Sequence, residues 1–105
     1  MGMNLEERVR SAVAALLYAT GESQTELALA LGVSQAQVSR RQAGSAAWSL
    51  ADCDAVAAHY GIDAIDLLTG PTRATESLPT ERRRAPGRRA DTARSAATVQ
   101  DGETR

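Results

Sequence analysis

The sequence contains no phenylalanine and no lysine, and it has one cysteine and one histidine. A single cysteine excludes an internal disulfide, and a zinc site of the usual ligand types is not expected from one cysteine and one histidine. No apolar run approaches the roughly 20 residues that span a membrane. The N-terminus carries Glu6 and Glu7 where a secretory signal has positive charge. These absences predict a soluble cytoplasmic protein without a metal, a cofactor or a membrane partner.

The chain also lacks the residue sets of common catalytic sites. With His59 as the one histidine, no Ser/His/Asp or Cys/His arrangement can be assembled, and there is no glycine-rich phosphate loop. Cys53 lies on the apolar face of a predicted helix, where core packing explains it better than redox chemistry. We therefore predict that the protein is not an enzyme.

Charge and composition divide the chain near residue 70. Residues 1–70 carry four arginines and eight acids, whereas residues 71–105 carry eight arginines and five acids. The second part has only Leu78 and Val99 as large aliphatic residues, so it cannot bury enough apolar surface to offset its loss of conformational entropy. We expect one folded domain at 1–70 and a disordered, Arg-rich tail at 71–105.

Five helix starts and five helix stops punctuate residues 1–70. Each start pairs a capping residue with a polar residue three positions later, so that the two side chains can satisfy free backbone N–H groups. Each stop is a glycine, which can adopt the left-handed conformation that satisfies the last carbonyls of a helix. No stretch alternates with period two, and apolar residues recur at helical spacing. The fold class is therefore all-α, with helices predicted at residues 5–19, 24–31, 35–42, 50–60 and 64–69.

The second and third predicted helices are joined only by Gly32, Val33 and Ser34. A short connection that begins with glycine sets two helices at a steep angle, which is the geometry of a helix-turn-helix. Ala28 is small where the two helices cross, and Val38 is apolar where the corner must be filled.

Together with its flanking helices, this stretch resembles the phage repressor/Cro-like (XRE-type) helix-turn-helix regulators. The resemblance implies a compact five-helix domain and a regulator of transcription that binds an operator, most simply as a repressor. Because one motif contacts few base pairs, we expect a homodimer on two half-sites about one helical turn of DNA apart. The resemblance covers roughly residues 5–70 and is carried by Gln24, Ala28, Gly32, Val33, Val38, Gly44, Trp48-Ser49-Leu50, Tyr60-Gly61-Ile62 and Leu67-Leu68.

In this family the third helix enters the major groove, and the resemblance implies that its N-terminal end meets base edges. Gln35 and Arg40 are the predicted base readers, because Gln can bond adenine and Arg can bond guanine in bidentate fashion. Ser39 supports them, and Ala36 can contact a thymine methyl group.

Gln24, Ser34 and Arg41 complete the predicted DNA-binding set. Gln24 matches a family position that contacts a phosphate, and the free N–H groups at a helix start favour the same partner. Ser34 is the predicted N-cap of the third helix, the one that enters the major groove in this family. Arg41 departs from the family, which usually has a large apolar residue or tryptophan there. A guanidinium at this position must turn outward, pair with an acid or reach a phosphate.

A second class of function stays open beside DNA binding. The acidic 1–70 region and the departure at Arg41 favour a protein-interaction module, such as an antitoxin or an adaptor with little DNA affinity. Its protein partner would bind residues 71–105, which would fold on binding. Five arginines in residues 81–89 of the same tail are equally suited to following a phosphate backbone or to staying solvated.

Overall fold

The computed structural model of the protein describes residues 2–84, and this part of the chain is helical and contains no strand. The finding confirms the predicted all-α fold class, with six α-helices where five were predicted. The five predicted helices form with ends within one residue of their predicted positions. The elements are α1 (Leu5–Thr20), α2 (Gln24–Leu31), α3 (Gln35–Ala43), α4 (Leu50–Tyr60), α5 (Ala64–Thr69), α6 (Pro71–Glu76) and a 3-10 turn at Thr80–Arg82.

Four of the five predicted capping pairs form in both directions. In each, the cap side chain accepts from the third backbone N–H of the helix, and the side chain at that position accepts from the N–H of the cap residue. The fifth pair, at α5, differs: Asp63 accepts from the N–H of Ile65 at 2.8 Å, and Asp66 does not reach back. The carboxylate of Asp66 is instead occupied by Ser77 and Arg73.

The core forms around α1, whose buried face packs against α5 and α6. Leu27 of α2, Val38 of α3, Tyr60 of α4 and Leu67 of α5 are fully buried in the same cluster. Buried side chains from both of its helices thus hold the helix-turn-helix on the core. None of the helices in residues 2–84 is long and apolar enough to cross a membrane.

Residues 71–84 are part of the folded domain, which corrects the predicted boundary at residue 70. α6 begins at Pro71 and packs along α1, where Ala74 is completely buried, and Leu78 joins the core after it. The composition of residues 71–105 gave the wrong boundary, because one alanine and one leucine are enough to join residues 71–84 to the core. The rest of the predicted tail, residues 85–105, lies outside the described residues.

A polar cluster attaches the last described residues to the turn that follows the C-terminal end of α1. Glu22, in the turn before α2, accepts from the Tyr60 hydroxyl at 2.9 Å and lies 2.7 Å from His59 Nε2. Arg82 Nη2 is 3.5 Å from the same carboxylate, and Arg82 Nη1 also donates to the His59 carbonyl. Burial and then the bond to Glu22 raise the pKa of Tyr60 above its ordinary value, so this phenol stays a donor.

Asp66 ties α5 to the segment around α6 and makes stability depend on pH. It accepts from Ser77 Oγ at 2.7 Å and from Arg73 Nε at 3.1 Å, and these donors, the Ser77 bond first, hold the pKa of Asp66 below its ordinary value. A carboxyl of this kind stabilises the fold above its unfolded pKa, and the contribution is lost as pH falls through its folded pKa.

We therefore expect Asp66→Asn to lower the melting temperature at pH 7 and to reduce the further loss of stability on acidification. The variant lacks the carboxylate of Asp66, and it is the protonation of this carboxylate in acid that weakens the bonds to Ser77 and Arg73. Thermal unfolding of both proteins from about pH 7 to pH 2 measures this. Parallel curves at every pH would show that Asp66 does not provide the acid sensitivity.

Candidate nucleic-acid interface

α2 and α3 form the predicted helix-turn-helix. Gly32 ends α2 with φ of 74°, a left-handed conformation that favours glycine, and the N–H of Val33 donates to the carbonyl of Ala28 at 3.0 Å. Ser34 then caps α3, because its hydroxyl accepts from the N–H of Gln37 at 3.1 Å. Backbone bonds and the Ser34 cap therefore close the turn between α2 and α3.

The predicted base-reading residues lie together on the exposed side of α3. Gln35, Ala36, Ser39 and Arg40 are all exposed, whereas Val38 on the opposite side of the helix is fully buried. Within residues 2–84, Arg40 has no ion pair with an acid. Its guanidinium is therefore available to an outside acceptor.

The starts of the two helices are linked by a pair of glutamines. Gln35 Nε2 donates to Gln24 Oε1 at 3.0 Å, so the predicted phosphate contact and the predicted base contact are neighbours. A primary amide has two N–H groups and one carbonyl oxygen. After this bond, Gln35 keeps one N–H and its oxygen, which are the two groups that a bidentate contact with adenine uses.

Arg41 lies apart from this exposed row. Its Nε is 3.4 Å from Asp52 Oδ2, its guanidinium carbon is 5.6 Å from the centre of the Trp48 ring, and its side chain is only 18% exposed. Of the three outcomes that the sequence allows, the structure adopts the pair with an acid. A phosphate contact by Arg41 stays a prediction, and it requires the side chain to leave both Asp52 and Trp48.

Gln42 is a positioning residue that the sequence analysis missed. It donates from Nε2 to the carbonyl of Arg10 at 3.0 Å and accepts from Trp48 Nε1 at 2.9 Å, so it clamps the end of α3 onto α1. Two signals pointed to it: Gln42 is four positions after buried Val38, and a buried tryptophan needs an acceptor for its N–H. The clamp sets the direction in which the exposed row of α3 points.

We expect Gln42→Leu to lower the free energy of unfolding by about 1–3 kcal/mol, because it leaves the Trp48 indole N–H without an acceptor and removes the bond to the Arg10 carbonyl. The matched control is Gln35→Leu, the same change at an exposed position of the same helix, which should cost about 0.5 kcal/mol or less. Urea denaturation gives both values. Equal effects of the two substitutions would show that the clamp contributes nothing.

α3 also differs from the other helices in charge. Among the helices of residues 2–84 it alone carries basic residues and no acid, with Arg40 and Arg41 in its last turn. In the same part of the chain, no group of three or more His, Cys, Asp or Glu residues could hold a metal ion. Among the α-helices of this part of the chain, α3 is therefore the one with a net positive charge from its own side chains.

The profile of the BetR domain family matches residues 3–102, which is nearly the whole chain. No curated protein and no solved structure matches the chain. The match does not single out the repressor/Cro-like proteins, so that resemblance stays a hypothesis. The chain therefore belongs to the BetR domain family, a family of small helical domains that resemble DNA-binding domains.

Proposed function

We propose that this protein is a sequence-specific DNA-binding regulator of transcription that occupies an operator, most simply as a repressor. The observation that carries the proposal is the exposed row of Gln35, Ser39 and Arg40 on an acid-free α3, presented by a helix-turn-helix. Membership of the BetR domain family supports the same class of function. In this proposal the protein acts in the cytoplasm by binding DNA of the nucleoid. It catalyses no reaction and needs no metal or cofactor.

In the proposed complex, α3 lies in the major groove of the operator. Gln35 and Arg40 are five positions apart, which is about 7.5 Å along the helix axis and about two base-pair steps of roughly 3.4 Å. The two side chains therefore reach different base pairs, with adenine for Gln35 and guanine for Arg40. Ala36 lies between them and offers a methyl group to thymine.

Phosphate contacts place α3 in the groove. Gln24 is the first residue of α2 and Ser34 caps α3, so both stand beside free backbone N–H groups that bind anions. Because one α3 helix contacts few base pairs, the active form is a homodimer on two half-sites whose centres are about 34 Å apart.

Selection from a random pool of duplex DNA with the full chain, at low salt, tests the proposal. We expect enrichment of a two-fold symmetric motif whose half-sites lie about one helical turn apart. Affinity for the enriched site should fall steeply as salt rises, as phosphate contacts require. A pool that enriches no motif would refute the proposal.

A protein-interaction role, as an antitoxin or an adaptor, is the second candidate. The charge of the described residues favours it: residues 2–84 carry eight arginines and ten acids, whereas groove-binding domains are usually basic. Co-purification with a toxin encoded by a neighbouring gene, and loss of that toxin's activity in the complex, would support this role. The same protein failing to enrich any DNA motif would favour it over the first candidate.

A further inference from the structure

An apolar groove opens beside the C-terminal end of α3. It has a volume of about 80 Å³ and is lined by side chains from α1, the connection after α3, α4 and α5, among them Leu5, Val9, Trp48, Leu50, Cys53 and Leu68. Glu6, Arg10 and Arg41 also line it. We call it the Trp48 groove.

Three large apolar side chains on or next to the Trp48 groove are exposed to solvent. Leu50 is 75% exposed, Ile65 is 66% exposed and Leu5 is 54% exposed. Leu5 and Leu50 line the groove, and Ile65 is one helical turn before Leu68, which lines it too. A cluster of this kind, unlike a single exposed leucine, marks a surface that associates with a partner.

The charged residues of the groove make the surface complementary to itself. Glu6 and Arg10 are four positions apart on α1, and within residues 2–84 neither takes part in an ion pair. In a two-fold arrangement with the two α1 helices antiparallel, Glu6 of each protomer meets Arg10 of the other, and the pair forms twice. A second copy of this chain therefore matches both the apolar groove and its charges.

We propose that the Trp48 groove is the surface through which two copies of this chain form a dimer. The proposal rests on the proposed function, because it supplies the dimer that two half-sites require. Arg41 of α3 and Trp48 both line the groove, whereas Gln35, Ser39 and Arg40 do not. A two-fold axis through the groove brings the ends of two α3 helices toward each other and leaves their base-reading rows uncovered.

Sedimentation of the full chain without DNA tests the surface. We expect a reversible monomer–dimer equilibrium, and we expect Leu50→Glu to weaken it at least tenfold, because the substitution places a charge in the apolar contact. Leu50 is exposed in one protomer, so the variant keeps its helical circular dichroism. The matched control is Leu29→Glu on α2, where the leucine is 77% exposed and lies outside the groove; its equilibrium should equal that of the wild type.

Charge exchange tests the pairing of α1 with α1. Glu6→Arg alone and Arg10→Glu alone should each weaken the dimer, because like charges then meet twice across the two-fold axis. The double variant restores opposite charges and should recover most of the lost affinity. A wild type that stays monomeric, a dimer that tolerates Leu50→Glu, or a double variant weaker than both single variants would overturn the proposal.

Duplexes with one or two half-sites separate the failure of this proposal from the failure of the proposed function. A chain that dimerises through the groove but enriches no DNA motif contradicts the function and leaves the groove standing. A chain that binds two half-sites tightly and equally well with Leu50→Glu contradicts the groove and leaves the function standing. If the groove and the proposed function are both correct, the Leu50→Glu variant should lose affinity for a duplex with two half-sites and keep the wild-type affinity for a duplex with one half-site.

Discussion

A chain that ends at Gly70 is expected to lose its stable fold. The truncation removes α6, so it uncovers the side of α1 against which α6 packs, and it removes the buried side chains of Ala74 and Leu78 from the core. It also removes Arg82, which lies 3.5 Å from the Glu22 carboxylate. Loss of one buried leucine side chain alone costs about 2–5 kcal/mol, and a domain of this size is stable by only about 5–10 kcal/mol. The truncated chain should therefore be largely unfolded at 25 °C.

The matched control is a chain that ends at Arg84, which keeps every buried residue of the core described above. Helical circular dichroism and urea denaturation compare the two truncations with the full chain. A full-length Leu78→Ala variant, expected to lose about 2–4 kcal/mol, separates the packing of one side chain from the loss of the whole segment. A cooperative transition at the wild-type urea midpoint for the chain ending at Gly70 would contradict the corrected boundary.

Gln35→Ala and Arg40→Ala are each expected to weaken binding to the enriched operator by about 1–3 kcal/mol, because each removes a bidentate base contact. Both side chains are exposed, so the melting temperatures should stay at the wild-type value. The base preference should relax at one position of each half-site, and at a different position for each variant. Binding isotherms and a repeated selection with each variant measure the two effects.

Arg8→Ala is the control for charge, since Arg8 is exposed on α1 and its loss removes the same positive charge as Arg40→Ala. It should change specific and non-specific binding by the same small factor. If Arg8→Ala and Arg40→Ala lower operator affinity equally, Arg40 acts only through its charge. If Gln35→Ala and Arg40→Ala both keep wild-type specificity, α3 is not the recognition helix.

The sequence by itself determined the helices of residues 5–69 and the helix-turn-helix among them. A helix start depends on a cap and a partner three positions later, as in Ser23 and Glu26, and a helix stop depends on a glycine such as Gly32. These are interactions between near neighbours, so they can be read from short spacings without knowledge of the fold. The exposed row on α3 followed from the same helical spacing, because Val38 marks the buried side.

Only the tertiary structure decided the features that depend on distant residues. α6 has six residues, too few to be stable alone, so its formation depends on the space beside α1. Gln42 meets Arg10 across 32 positions of sequence, and Tyr60 meets Glu22 across 38. No local spacing encodes such contacts, since they exist only after the helices have packed. For the same reason the sequence left Arg41 with three outcomes, and the tertiary fold supplied Asp52 at the start of α4 as its partner.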